Sequence, residues 1–216
     1  TEFTAFQRSF QTWQTVLDSC GSLKFKEGAR TDRRAVGWTE GEVDPQNVLV
    51  FRQKKCDAVA PAGTDCTGNG DCANKYDCWE YGPLALAVTT PSFDRRSGRI
   101  WDADIEFNVP TFIFTTVDAP VCPTGAYSTS CVATDVQNTT THEIGHVLGL
   151  AHTTRLNSTM AARADPGELS KRAVDTGSAQ FICDVYPKGQ TAKACAVRPY
   201  DPEIGKVAGC ACGAGG

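Results

Sequence analysis

The sequence predicts an α+β domain, and three patterns carry that expectation. Phe3, Phe6, Phe10, Trp13, Val16 and Leu17 recur at the spacing of one helix face. Trp101, Ala103, Ile105 and Phe107 alternate with Asp102, Asp104, Glu106 and Asn108, the period of a strand with one apolar side. Helical patterns return at residues 134–149 and 173–186, so helices flank a group of strands.

The first helix is expected over residues 1–20, with Thr4 and Gln7 as a capping box. Leu23 and Phe25 alternate with Lys24 and Lys26, which reads as a half-buried strand. After a polar, turn-rich stretch, Val48-Leu49-Val50-Phe51 reads as a central strand. The composition then shifts. Residues 52–83 hold Cys56, Cys66, Cys72 and Cys78 with few aliphatics, which reads as a disulfide-stapled loop. Its Asp65, Asn69, Asp71, Asn74 and Asp77 either offer calcium their oxygens or form a solvated loop, for no EF-hand spacing is present. A strand follows at Leu84–Thr89. In the next strand Asp102, Asp104 and Glu106 share one face and repel one another unless a cation or arginines intervene. Arg95, Arg96 and Arg99 are near in sequence. Cys122 and Cys131 bracket a loop holding Pro123 and Gly125 and are expected to pair. Thr134 and Gln137 form a capping box for the helix that ends at Gly149. Asn138 and Asn157 begin N-glycosylation sequons. Asp165-Pro166-Gly167 is a turn before the last helix, and the tail from Lys188 has no periodicity.

With 216 residues the chain is long enough for one domain with a sizeable core. A net charge of −4 and a pI near 5.4 argue against nucleic acid or an anionic membrane as partner. No apolar run approaches transmembrane length. No signal peptide opens the sequence, which reads as a mature or trimmed form. Eleven cysteines read as a disulfide framework made in an oxidising compartment, and their odd number leaves at least one thiol unpaired, reactive or intermolecular.

The candidate chemistry lies in His142-Glu143-Ile144-Gly145-His146-Val147-Leu148-Gly149-Leu150-Ala151-His152. Residues four apart share a helix face, so His142 and His146 can aim two imidazoles at one point. Glu143 lies beside that face, able to touch a water on a metal but poorly placed as a ligand. Gly149 takes a left-handed conformation and stops the helix, and the returning chain brings His152 as a third nitrogen. Three protein ligands leave one zinc position open to water, which distinguishes catalytic from structural zinc. A bare HExxH arises by chance in many helices. Here all three histidines of the chain fall inside the motif, which core packing does not explain.

These residues, followed by Met160, resemble the metzincin metalloproteases and, among them, the matrixin family. Met160, the single methionine, follows His152 at the matrixin spacing and would form the Met-turn beneath the metal. Thr153 stands where matrixins carry a small hydroxyl residue, whereas astacins have Glu and adamalysins Asp. Phe3–Trp13 is similar to the first matrixin helix, and Phe181–Pro187 to the close of the matrixin domain. The likeness covers residues 3–187, with departures. The strand that precedes the first matrixin helix is not in the sequence. The cysteine loop stands where matrixins have a metal-binding loop. Their structural-zinc histidine is absent from the 101–108 strand, and Ala161-Ala162-Arg163 replaces their Pro-x-Tyr segment. Gly177 and Ser178 fall where paired aspartates usually open the last helix. Gly209–Gly213 resembles the opening of bacterial C-terminal surface-sorting tails.

The resemblance implies a mixed twisted sheet with two long helices in an upper subdomain (1–149, with the insertion at 52–83), a small irregular lower subdomain with a C-terminal helix (150–187), and a tail (188–216). It implies one catalytic zinc on His142, His146 and His152, with Glu143 activating the zinc-bound water as general base. Leu84, Ala85, Leu86, Ala87 and Val88 would form the edge strand that pairs with substrate. Calcium is implied beside Asp102, Asp104 and Glu106. The expected activity is a secreted or cell-surface metalloendopeptidase acting on proteins or peptides. Two alternatives are a self-inhibited zymogen whose fourth zinc position is filled by a cysteine or carboxylate, and a catalytically silent zinc-containing binding domain. The intact Glu143 argues against the silent reading.

Overall fold

The computed structural model describes residues 1–39, 41, 46–66 and 71–190. Helix α1 (Glu2–Cys20) buries Ala5, Ser9, Trp13 and Leu17, one every four residues. The Ser9 hydroxyl lies 3.0 and 3.1 Å from the Ala5 and Gln137 carbonyls, so this polar member of the stripe is satisfied. Thr1 caps the helix by accepting from the Thr4 N–H, so the helix begins before the expected Thr4–Gln7 box. Gln7 reaches Glu27 instead.

No strand forms at residues 23–26. Gln14 takes up the backbone there: its Oε1 accepts from the Phe25 N–H at 2.8 Å and its amide donates to the Leu23 carbonyl at 3.3 Å. A side chain thus does the work of a neighbouring strand, and Phe25 packs edge-on against Phe10.

Strands β1 (Leu49–Arg52), β2 (Ala87–Phe93) and β3 (Ile100–Asn108) form a mixed sheet in the order β1-β3-β2. β1 runs parallel to β3 and β2 antiparallel, with Thr89 opposite Ile105. The 48–51 run therefore belongs to an edge strand, and β3 is central; a short apolar run does not by itself distinguish the two positions. β2 also begins later than expected. Leu84 is 91% exposed, while the Ala85 and Leu86 carbonyls accept from Asn108.

The alternation of β3 holds, but from Asp102 to Asn108 both faces are buried, while Trp101 at the start of the expected apolar face is exposed. Ile105 and Phe107 join Trp13, Leu17, Ile144, Met160 and Ile182 in the main core. On the other face Asp104, Glu106 and Asn108 are each 0% exposed. Arg52, equally buried, reaches Glu106 at 2.8 Å and Asp77 at 2.9 Å. Asp104 accepts from the Gly37 and Val48 N–H groups at 2.5 and 2.7 Å. A guanidinium thus answers Glu106 Oε2 and main-chain amides answer Asp104, while Glu106 Oε1 is buried with no hydrogen-bond partner among the described residues. Among the described residues, the three histidines are the group of acidic, cysteine or histidine side chains that gathers at metal-binding distance. In the loop, Asp77 is taken by Arg34 and Arg52 and Asn74 by the Val36 main chain; Asn69 lies outside the described residues.

Disulfides Cys56–Cys78 and Cys66–Cys72 staple the insertion around the short helix α2 (Asp71–Tyr76), and Cys122 pairs with Cys131 as expected. A fourth bridge, Cys20–Cys183, joins the end of α1 to the last helix across 163 residues. Cys195, Cys210 and Cys212, with the likeness of residues 209–213 to sorting tails, lie outside the described residues.

Strands β4 (Phe114–Thr115) and β5 (Thr134–Asp135) pair in parallel and lead into helix α3 (Val136–Val147). Thr134 belongs to the strand, and Asp135 is the cap, accepting from the Asn138 N–H at 2.7 Å. Asn138 is buried, with its side-chain oxygen on the Lys171 N–H, so the folded protein does not present that sequon; Asn157 is exposed. The last helix, α4 (Thr176–Val185), starts after residue 175 because Asp175 caps it.

Candidate metal centre

Helix α3 is anchored by its neighbours. The Trp13 indole N–H donates to the Thr141 carbonyl at 2.7 Å, and Ile144 is fully buried in the core. Leu148 is the C-cap and Gly149 follows at φ 92°, a conformation a side chain would strain. The chain reverses there and brings His152 back to the helix.

His152 Nε2 lies 3.1 Å from His142 Nε2 and 3.2 Å from His146 Nε2. The Nδ1 atoms of His142 and His146 sit 2.7 Å from the Thr159 and Leu150 carbonyls. A carbonyl only accepts, so each Nδ1 carries the proton and each Nε2 presents a lone pair. Tetrahedral zinc with Zn–N of about 2.0–2.1 Å sets its ligands about 3.3 Å apart, so the set fits zinc. Burial supports the neutral form that ligates: it takes His142 down to about 3 against the Thr159 bond, and it lowers His146 and His152 as well.

Glu143 is 5% exposed. Its Oε2 accepts from the Thr89 hydroxyl at 2.6 Å. Burial pushes its carboxyl up to about 7, against the bonds from Thr89.

Met160 lies under the helix, 1% exposed. A Cβ on Gly145 would stand 2.2 Å from its Sδ, so the thioether dictates glycine inside a helix. The Met160 carbonyl accepts from the Thr153 N–H at 3.0 Å, joining the turn to the segment after His152. Asp175 holds the turn from the other side. Its Oδ2 accepts from the Ser158 hydroxyl, the Thr159 N–H and the Ser178 hydroxyl at 2.8, 2.9 and 2.6 Å. Its Oδ1 takes the Gly177 and Ser178 N–H groups. Through Thr159 it is one residue from the carbonyl that orients His142.

The histidines, Glu143, Gly149 and Met160 thus stand together as the sequence places them. Of the expected edge-strand residues, Ala87 and Val88 lie in β2 and Leu84, Ala85 and Leu86 precede it. Thr89, Gly145 and Asp175 were not singled out from the sequence. The glycine inside a helical pattern was the one available signal. The hydroxyl and the carboxylate meet their partners only through the fold.

The family model for Matrixin matches residues 1–186. No curated protein matches the chain significantly.

Proposed function

Because the chain belongs to the matrixin family, whose members are zinc metalloendopeptidases, we propose that it is a secreted endopeptidase in which His142, His146 and His152 hold the catalytic zinc and Glu143 is the general base. One observation carries the assignment of residues: three Nε2 lone pairs converge at 3.1 and 3.2 Å beside the buried carboxylate. Bound zinc supplies a Lewis acid that acidifies water and polarises the scissile carbonyl. The chain's own residues do the rest. The three imidazoles fix the metal and leave a position open. Glu143 takes a proton from the attacking water and returns it to the leaving amine. Substrate lies extended along β2, whose outer side pairs with no strand among the described residues, in a cleft between residues 1–149 and the smaller unit 150–187. Four disulfides among the described residues support an extracellular site of action, and no described helix is long and apolar enough to cross a membrane.

The test is casein or gelatin hydrolysis by zinc-loaded protein, with chelator and with Glu143→Gln. Chelation should abolish cleavage and zinc should restore it. Glu143→Gln should retain zinc yet lose on the order of 10² to 10⁴ in rate. Activity of that variant within tenfold of the parent would remove Glu143 from the mechanism.

A further inference from the structure

We propose that Thr89 is a positioning residue for Glu143: its hydroxyl ties up Oε2 and leaves Oε1 to exchange the proton. The inference rests on the reading of Glu143 as general base. The hydroxyl lies 2.6 Å from Oε2 and 3.2 Å from the Glu143 main-chain carbonyl. It has a single proton, and the charged, closer acceptor takes it. A carboxylate has two equivalent oxygens and turns about its last torsion with little resistance. Glu143 is buried and both donors that act on its carboxylate, a hydroxyl and a main-chain N–H, belong to Thr89, so Thr89 chooses between its rotamers.

Thr89 itself is held firmly. It lies inside β2, opposite Ile105 on the central strand, and Ile105 is packed in the core against α1 and α3. The β-branched side chain has a restricted χ1 in a strand, so the hydroxyl direction is set by the backbone. The strand proposed to align substrate would therefore also aim the base. One element would then hold both partners of the proton transfer in register.

The experiment compares Thr89→Val, Thr89→Ser, Glu143→Gln and the double variant Thr89→Val/Glu143→Gln, as zinc-loaded proteins on one fluorogenic peptide. Melting temperature and zinc content are recorded for each. Valine keeps the shape, the strand preference and the main-chain N–H but removes the hydroxyl donor. The expected result is a fall in kcat on the order of ten- to a hundredfold for Thr89→Val, with KM within about twofold. Serine should recover most of that loss, and in the Glu143→Gln background the Thr89→Val change should have no further effect. An unchanged kcat in Thr89→Val, a change confined to KM, or an equal loss in both backgrounds would overturn the proposal and leave Glu143 as base. Should Thr89→Val melt early or lose zinc, Thr89→Ser carries the test: near-parental kcat supports the hydroxyl, and a loss like that of Thr89→Val overturns it. Full activity of Glu143→Gln would instead reject the reading of the base itself.

Discussion

Replacing Asp175 by Ala should loosen the metal centre from below. The carboxylate accepts from two hydroxyls and three N–H groups, caps α4 and holds the turn that carries Met160. A hydrogen bond to a charged group is worth about 1.5–3 kcal/mol and an N-cap about 1, but bonds sharing one carboxylate do not add. Asp175 is also partly exposed, so about 3 kcal/mol is the reasonable total. For a domain of this size that lowers the melting temperature by roughly 6–12 °C. The loss should depend on pH. Burial acts to raise this carboxyl, but the Ser178 and Ser158 hydroxyls and the Thr159 and Ser178 N–H groups outweigh it and hold the group below the usual carboxylate range. A depressed carboxylate stabilises above its unfolded value of about 3.9 and loses that contribution as pH falls through the folded value. The deficit of Asp175→Ala should thus be constant from neutral pH down to about 5 and shrink below about 4. Zinc affinity should fall on the order of 10- to 100-fold, because Thr159 also supplies the carbonyl that orients His142. Thermal melts of metal-free protein across pH, with competition titration of zinc, check both effects. A melt within about 2 °C of the parent at neutral pH would refute the reasoning.

Other outcomes follow from the same structure. Gly145→Ala should destabilise, although alanine is worth about 1 kcal/mol more than glycine in a helix, because the new methyl meets the buried Met160 thioether and overpacking costs about 1–3 kcal/mol; a variant more stable than the parent in denaturant titration would contradict it. Arg52→Met should cost about 3–5 kcal/mol by leaving Glu106 buried and uncompensated, and Arg52→Met/Glu106→Gln should recover much of it; equal melting of the single and double variants would count against this. Removing Cys20–Cys183 by paired alanines should cost more than removing Cys122–Cys131, about 5 against about 3 kcal/mol on loop entropy alone; the reverse order in denaturant titrations would contradict that ranking. His152→Ala should lose zinc on dialysis, since two ligands remain; full zinc content by elemental analysis would exclude residue 152 as a ligand.

What the sequence makes legible is set by distance along the chain. His142, Glu143, His146, Gly149 and His152 are placed by one helix and one turn, and local periodicity suffices to bring the three nitrogens together. The alternation of β3 is local too and survives in the structure. The fate of its polar face is not local. Glu106 is buried against Arg52, 54 residues earlier, a partner that the alternation of the strand does not reveal. Leu23 and Phe25 have a strand pattern, yet Gln14 from the preceding helix takes their backbone. Both capping boxes at helix starts were misplaced, because another good capping residue lies close by and takes the role: Thr1 before Thr4 and Asp135 just after Thr134.

The same distinction separates the reactive groups from what steadies them. The proposed ligands and base fall within eleven consecutive residues, but their orientation comes from elsewhere. Thr89 reaches Glu143 from β2, 54 positions away, and Asp175 reaches the turn beneath His142 from the start of α4. The Cys20–Cys183 bridge ties α4 in turn to α1, whose Trp13 grips α3. Each of these supports is a hydrogen bond or a covalent link between rigid elements, so each limits rotation of a side chain whose angle decides the chemistry. A substitution at one of them can spare every residue of the motif and still misdirect a ligand or the base. The proposed site is therefore larger than its motif, extending through β2 and α4 to residues that carry no signature of their own.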